Sequence, residues 1–253
     1  MRLRAKKRTV AITAASIVAM GTVAVGVPLA FADSGPSAAS HYYVEIGGTG
    51  AALAQPDCTK TFGFANDNLA GGKPVKICYP ASFGPLQAGD GSIPGPGAPS
   101  YEDSVKQGVD ATMKAIEDIH ANEPDATITV AGYSQGADVG DRVLERIAGG
   151  KTDIPAELMS GKLYADPRQP DTGIWAKVPA GTNIAGIVSP GPAPAELPGI
   201  PVERHCIHSD GVCDATSLDS FKGFFEQHPK YPADDGIIES TISSEAQNQV
   251  FWH

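Results

Sequence analysis

Between Ala126 and Gly150 the hydrophobic pattern changes period once, abruptly, and no other feature of the chain constrains its fold as tightly. Ala-Thr-Ile-Thr-Val-Ala-Gly (Ala126–Gly132) is nearly all apolar, as a strand buried on both faces of a parallel sheet must be. After Ser134 the apolar residues Val139, Val143, Leu144 and Ile147 recur at helical spacing, and Gly149-Gly150 stops the helix. Gly132-Tyr133-Ser134-Gln135-Gly136 joins the two. A turn this tight needs small residues two before and two after its apex. It lifts Ser134 above the carboxyl edge of the sheet, at a helix N-terminus whose partial positive charge and free N–H groups favour a developing anion. Gly-x-Ser-x-Gly alone often arises by chance. The strand before it and the helix after it separate a nucleophile elbow from a serine that merely caps a helix.

The rest of the chain supplies a sheet around this unit. His41–Ile46, Lys73–Tyr79, Gly161–Asp166 and Pro201–Ile207 read as further strands, and Thr182–Val188 as an additional short strand or arm. Ser100, with Asp103 at the capping-box position, opens a helix through Val105, Val109, Met113, Ile116 and Ile119. Residues 88–100 are a Gly/Pro-rich loop, and Asp234–Val250 reads as the last helix. Strands alternating with helices predict an α/β three-layer sandwich on a central, mostly parallel, five-stranded sheet. At 253 residues the chain suits one such domain.

The N-terminus is read apart from the fold. Met1–Arg8 carries five basic residues, an apolar run follows, and Ala30-Phe31-Ala32 supplies small residues at a cleavage site before Asp33. This pattern predicts a secretory signal peptide over 1–32, a flexible lead-in over 33–40 and a catalytic domain over 41–253. The alternative is an uncleaved anchor, since the apolar run is long enough to span a bilayer. Without residues 1–32 the chain holds 14 basic residues against 29 acidic ones. So acidic a protein, lacking a basic patch, is not expected to bind nucleic acid or to adhere by charge to anionic lipid. After cleavage no stretch is left to span a membrane, and a secreted monomer is expected. Cys58, Cys78, Cys206 and Cys213 are an even set in an exported chain, which predicts two disulfides. Of three pairings, Cys58–Cys78 with Cys206–Cys213 closes the shortest loops. A zinc site would show tight Cys-x-x-Cys pairs, and none is present.

A serine nucleophile needs a histidine base oriented by a carboxylate. In the chain order Ser, Asp, His, the candidates are Ser134, Asp210 and His228. Asp210 follows a strand and lies inside the Cys206–Cys213 loop, which a disulfide would pin. Asp166, before Pro167, is the competing acid. His205 precedes Asp210, His208 is too close to it to reach Ser134 as well, and His253 is expected to be mobile. His205-x-x-His208 with Asp210 could also be read as metal ligands, a weaker pattern. The oxyanion donors are the backbone N–H of Gln135 and the Gly47-Gly48-Thr49-Gly50 loop, where Thr49 adds its hydroxyl. On this reading Gln135 acts mainly through its backbone, so Gln135→Ala should cost far less than Ser134→Ala.

Gly-Tyr-Ser-Gln-Gly-Ala (132–137), then Cys-x3-Asp-x2-Cys and His-x2-Tyr (His228–Tyr231), resembles the cutinase family, secreted serine esterases of the α/β-hydrolase fold. Val44–Gly50, Tyr79–Leu86, Ser100–Val109 and Ala165–Ile174 resemble the related PE-PPE-type serine hydrolase domain of actinobacteria. The resemblance spans roughly 42–232. It implies a Ser134–His228–Asp210 triad, an oxyanion hole from Thr49 and Gln135, and hydrolysis of short- to medium-chain esters or lipids with no metal or cofactor and little or no lid. Acyl transfer or thioester cleavage on envelope lipids is the neighbouring reading, and a non-catalytic surface-binding protein on the same scaffold the more distant one. The chain departs from the family in a long Pro-rich segment, 174–201, that could roof the site. A Cys58–Cys78 bridge would also lie differently from the first cutinase disulfide.

Overall fold

The computed structural model describes residues 39–51, 57–84, 97–184 and 187–253. The expected signal peptide, most of the lead-in, residues 85–86 of the Tyr79–Leu86 segment and most of the 88–100 loop lie outside the described residues. In chain order the strands are β1 (His41–Ile46), β2 (Lys73–Ile77), β3 (Thr127–Tyr133), β4 (Met159–Tyr164), β5 (Asn183–Ile184), β6 (Ile187–Val188), β7 (Val202–Cys206) and β8 (Gln249–Trp252). The helices are α1 (Tyr101–Asn122), α2 (Gln135–Ala148), α3 (Ser220–Glu226) and α4 (Ile237–Thr241).

Six strands form one sheet in the order β2-β1-β3-β4-β7-β8, and every neighbouring pair is parallel. The strand order reverses between β1 and β3. At such a switch point the loops leaving the two strands part in opposite directions and open a crevice at their carboxyl ends. The Gly47–Gly50 loop leaves β1 there, and the Ser134 turn leaves β3.

Side chains alternate along β1. Val44 and Ile46 point into a core shared with Val105, Val109 and Ile116 of α1 and Val139, Val143 and Leu144 of α2. Tyr43 points to the other face, where Phe62, Leu69, Tyr133, Tyr164, Tyr231, Ile238 and Ile242 pack. The result is the three-layer α/β-hydrolase sandwich. The Ser100 cap is in place: its Oγ accepts from Asp103 N at 3.1 Å. Gly149 and Gly150 end α2 as expected, with Gly150 at φ 63°. Both expected disulfides are present, Cys58–Cys78 and Cys206–Cys213.

Three expectations are corrected. The sheet has six strands, because the tail forms only the short α4 and then β8, which pairs from Glu203↔Gln249 to Cys206↔Trp252. That pairing joins residues some 46 positions apart, so no local periodicity reports it. His253 is tied down by β8: its N donates to Cys206 O and its O accepts from His208 N, both at 3.0 Å. Thr182–Val188 is a two-stranded antiparallel pair, β5 with β6.

Glu45 is an exception within the apolar interior. It is wholly buried on β1. Its Oε2 accepts one long bond from Asn66 Nδ2, at 3.4 Å, and Oε1 has no hydrogen-bond partner among the described residues. Burial pushes its carboxyl up to about 7, against the opposing pull of Asn66 and of the Lys76 charge. In the unfolded chain the group ionises near its ordinary value of about 4.3. Between that value and pH 7 the unfolded state releases a proton that the folded state keeps, so stability falls as pH rises through the window. Glu45→Gln is expected to raise the unfolding free energy by about 3 kcal/mol at pH 8 and by only about 1 kcal/mol at pH 5. Urea melts at the two pH values check this; equal effects at both would contradict it.

Candidate active site

Ser134 is not glycine, yet its backbone sits at φ 55°, ψ −121°. That region is strained for an L-residue, at a cost of about 1–3 kcal/mol. The neighbouring glycines explain how the turn closes. A Cβ on Gly132 would lie 2.4 Å from Gly136 O, and one on Gly136 would lie 2.1 Å from Ile46 O. A Cβ on Gly48 would lie 3.0 Å from the Cβ of Ser134. The three glycines therefore let the end of β1, the turn and the start of α2 meet in backbone contact. Ser134 N donates to Tyr164 O at 2.9 Å, which ties the turn to the end of β4 as well.

The three residues expected to act together do meet. Ser134 Oγ lies 2.9 Å from His228 Nε2, and His228 Nδ1 lies 2.8 Å from Asp210 Oδ2. Asp210 is fully buried and His228 nearly so. An Nδ1–H donated to the carboxylate leaves Nε2 as the acceptor for the serine proton. Asp210 is held from its own loop: its Oδ1 accepts from Val212 N at 3.1 Å, and its O accepts from Asp214 N at 2.7 Å. Tyr231 braces the same loop, its hydroxyl accepting from Ile207 N at 2.7 Å and lying 3.3 Å from Cys213 Sγ. Tyr133 holds His228, donating its hydroxyl to His228 O at 2.7 Å and stacking on the imidazole at 4.9 Å. Burial and the Asp210 charge both push the Tyr133 hydroxyl well above its ordinary range, which keeps it a donor.

The loop after β1 faces this pair. Gln135 is the first residue of α2, where a helix leaves its N–H without an intrahelical partner. Its side chain has a role that sequence reasoning missed. Nε2 donates to Thr49 Oγ1 at 3.2 Å and to Ser82 O at 2.9 Å, while Oε1 accepts from Ser104 Oγ at 2.8 Å. Thr49 Oγ1, already accepting from Gln135, keeps its own hydrogen to donate. Tyr79 holds the loop from below through a 2.7 Å bond to Gly47 O, and Gly50 N donates to Ala81 O at 2.8 Å. Tyr79, Ser82 and Ser104 fall within segments singled out above for resemblance; their roles were not legible from spacing.

The rejected candidates have other partners. Asp166 is buried against Arg204, at 2.9 Å, and Arg204 also reaches Asp141 at 2.6 Å. His205 lies 2.7 Å from Glu203 and 3.0 Å from His253. His208 stacks on Trp252 and is largely exposed. The described parts of 174–201 bond to the arginines flanking α2: Gly191 O and Pro192 O accept from Arg168, and Pro194 O lies within reach of Arg204. A cleft of about 290 Å³ adjoins the loop after β1, lined by Gly48–Ala51, Lys60, Thr61 and Tyr133. A larger cavity, about 460 Å³, opens beside His41, Thr127 and Met159, at the opposite end of the sheet from Ser134. Among the described residues no helix is long and apolar enough to cross a membrane.

A model of the PE-PPE domain matches residues 70–217, more than half of the chain. Ser134 and Asp210 fall within that span; Thr49 and His228 fall outside it. An acetylxylan esterase of Hypocrea jecorina is 41% identical over 68 residues, 27% of this chain and 20% of that protein. The PPE family protein PPE28 of Mycobacterium tuberculosis is 26% identical over 142 residues, 52% of this chain and 21% of that protein. The chain thus spans about a fifth of the length of these curated relatives. An acetyl xylan esterase solved as an iodinated complex has a similar fold, with a TM-score of 0.50 at 21% identity over 82% of this chain and 100% of that one. A cutinase-like protein from Cryptococcus sp. gives a TM-score of 0.51 at 18% identity, over 79% and 90%.

A hydroxyl, an imidazole and a buried carboxylate stand in hydrogen-bonded series beside the Thr49 hydroxyl and the first N–H of α2, a set whose chemistry suits acyl transfer. Gln135→Ala leaves Thr49, Ser82 and Ser104 without their shared partner. It is expected to lower kcat for p-nitrophenyl butyrate about tenfold with KM little changed, a fraction of the loss that follows removal of an oxyanion donor itself. An unchanged kcat would show that the Gln135 side chain does not set the loop.

Proposed function

The chain belongs to the PE-PPE domain family, and from that premise we propose that it is a secreted serine esterase cleaving carboxylic esters through Ser134, His228 and Asp210. One observation carries the reading. A buried carboxylate, an imidazole and a serine on a strained strand-to-helix turn stand in series at 2.8 and 2.9 Å.

The steps follow from the atoms present. Ser134 Oγ attacks the ester carbonyl while His228 Nε2 takes its proton. Asp210 holds the imidazole in the right tautomer and stabilises the imidazolium that forms. The carbonyl oxygen, now an alkoxide, receives hydrogen bonds from Gln135 N–H and the Thr49 hydroxyl, aided by the N-terminal end of α2. His228 returns the proton to the departing alcohol as the C–O bond breaks, leaving an acyl group on Ser134. Water then attacks the acyl-enzyme with His228 again as base, releasing the acid and restoring the serine.

The roughly 290 Å³ cleft beside the oxyanion loop favours short- to medium-chain substrates. Export is supported by the basic-then-apolar N-terminus and by two disulfides, which persist in oxidising compartments. Ser134→Ala is expected to reduce hydrolysis of p-nitrophenyl butyrate to the uncatalysed background while leaving the thermal unfolding temperature within a few degrees of the parent. Turnover that survives the substitution would sink the assignment.

A further inference from the structure

Among the described residues that line the cleft beside the loop after β1, Lys60 alone is charged, and no carboxylate joins it there. Elsewhere the basic side chains follow a different pattern. Lys73, Lys114, Arg142, Arg168 and Arg204 each meet a carboxylate, as expected in a chain where 29 acidic residues outnumber 19 basic ones. Lys60 is exposed, and its ammonium meets no carboxylate among the described residues.

The place of that ammonium is built. Lys60 belongs to a short helical turn, Asp57–Phe62. A disulfide ties Cys58 of this turn to Cys78, just past β2, and the Phe62 ring is wholly buried in the core on the Tyr43 face of the sheet. The turn packs directly on the end of β1: a Cβ on Gly47 would lie 3.2 Å from Cys58 O and 3.4 Å from Thr61 Oγ1. The backbone of Lys60 is thus held against the loop that carries Thr49, and only the long stem is left to swing the charge over the cleft.

We propose that Lys60 selects esters that carry an ionised acid group on the arm seated in this cleft. The inference rests on the esterase reading and names a substrate class within it. An ester carbonyl held by Thr49 and the first N–H of α2 leaves one arm for the adjoining cleft, whose volume of about 290 Å³ is near the lower end of small-ligand sites. A neutral arm gains nothing from the ammonium. An anionic arm gains a charge at contact distance, with the Thr61 hydroxyl beside it and no lining carboxylate to repel it. The acidic surface opposes every anion at long range, but charges more than about 10 Å away are largely screened at physiological salt.

Two matched pairs of esters test this. Mono-4-nitrophenyl adipate against its methyl ester puts the charge on the acyl arm; 4-acetoxybenzoate against its methyl ester puts it on the alcohol arm. The readout is the ratio of kcat/KM for the charged member to that for the neutral one, which does not depend on the fraction of chain folded. Lys60→Gln is expected to lower the ratio about fivefold in one pair and Lys60→Glu about twentyfold, while Lys60→Arg keeps it within about twofold. The pair that responds names the arm. A ratio unmoved by Lys60→Glu in both pairs overturns the proposal. So does a fall in Lys60→Arg as large as in Lys60→Gln, because shape and not charge then decides. A parent that hydrolyses none of the four esters fails the esterase reading instead, and amide NMR with 4-acetoxybenzoate and monomethyl adipate still decides about the cleft. Shifts at Gly48–Ala51 that Lys60→Gln abolishes support the proposal; no shift in the parent with either anion overturns it.

Discussion

At φ 55° and ψ −121° the backbone of Ser134 is held where an L-residue rests only under compulsion, and the surrounding structure is arranged to hold it there. β3 arrives buried from Ile128 to Tyr133. α2 departs at once, anchored by Val139, Val143 and Leu144 in the core. Gly132, Gly136 and Gly48 remove the three side chains that would force the segments apart. The strain fixes where the hydroxyl stands, and it stands at the point where the strand order reverses and a crevice is available.

Around that point the supports differ in chemistry. Behind α2, Arg204 is shared by Asp141 and Asp166, all three nearly or wholly buried. Breaking one side of such a buried pair would cost several kcal/mol, because the remaining charge has no water to turn to. In front, the loop after β1 is set by neutral hydrogen bonds that converge on the Gln135 side chain. To the side, a disulfide and Tyr231 brace the loop that carries Asp210. Beside the partly exposed Ser134, His228 is nearly buried. Its imidazole is flanked by the ring of Tyr133 and by that of Phe224, which opens to solvent.

Much of this could be read from the sequence, for a physical reason in each case. The elbow was legible because strand and helix periods meet within five residues. The meeting of Ser134, Asp210 and His228 was legible because chain order and a pinned loop narrow the choice. The Cys206–Cys213 and Cys58–Cys78 pairings were legible because short loops are the simplest to close. What escaped depended on long-range contact. β8 joins the sheet through residues far along the chain from β7, and His253 is fixed only through that pairing. The roles of Gln135, Tyr79, Ser82 and Ser104 arise because α1, α2 and the loop after β1 meet in space; none has a period or motif of its own.

The central claim is that one serine, activated by one histidine, is the reacting group. Diisopropyl fluorophosphate treatment followed by peptide mass spectrometry tests it directly. The account predicts one phosphoryl group per chain, on the peptide holding Ser134, with the rate of modification falling at least a thousandfold in His228→Ala. Modification at a different serine, or at Ser134 at the same rate without His228, would contradict it.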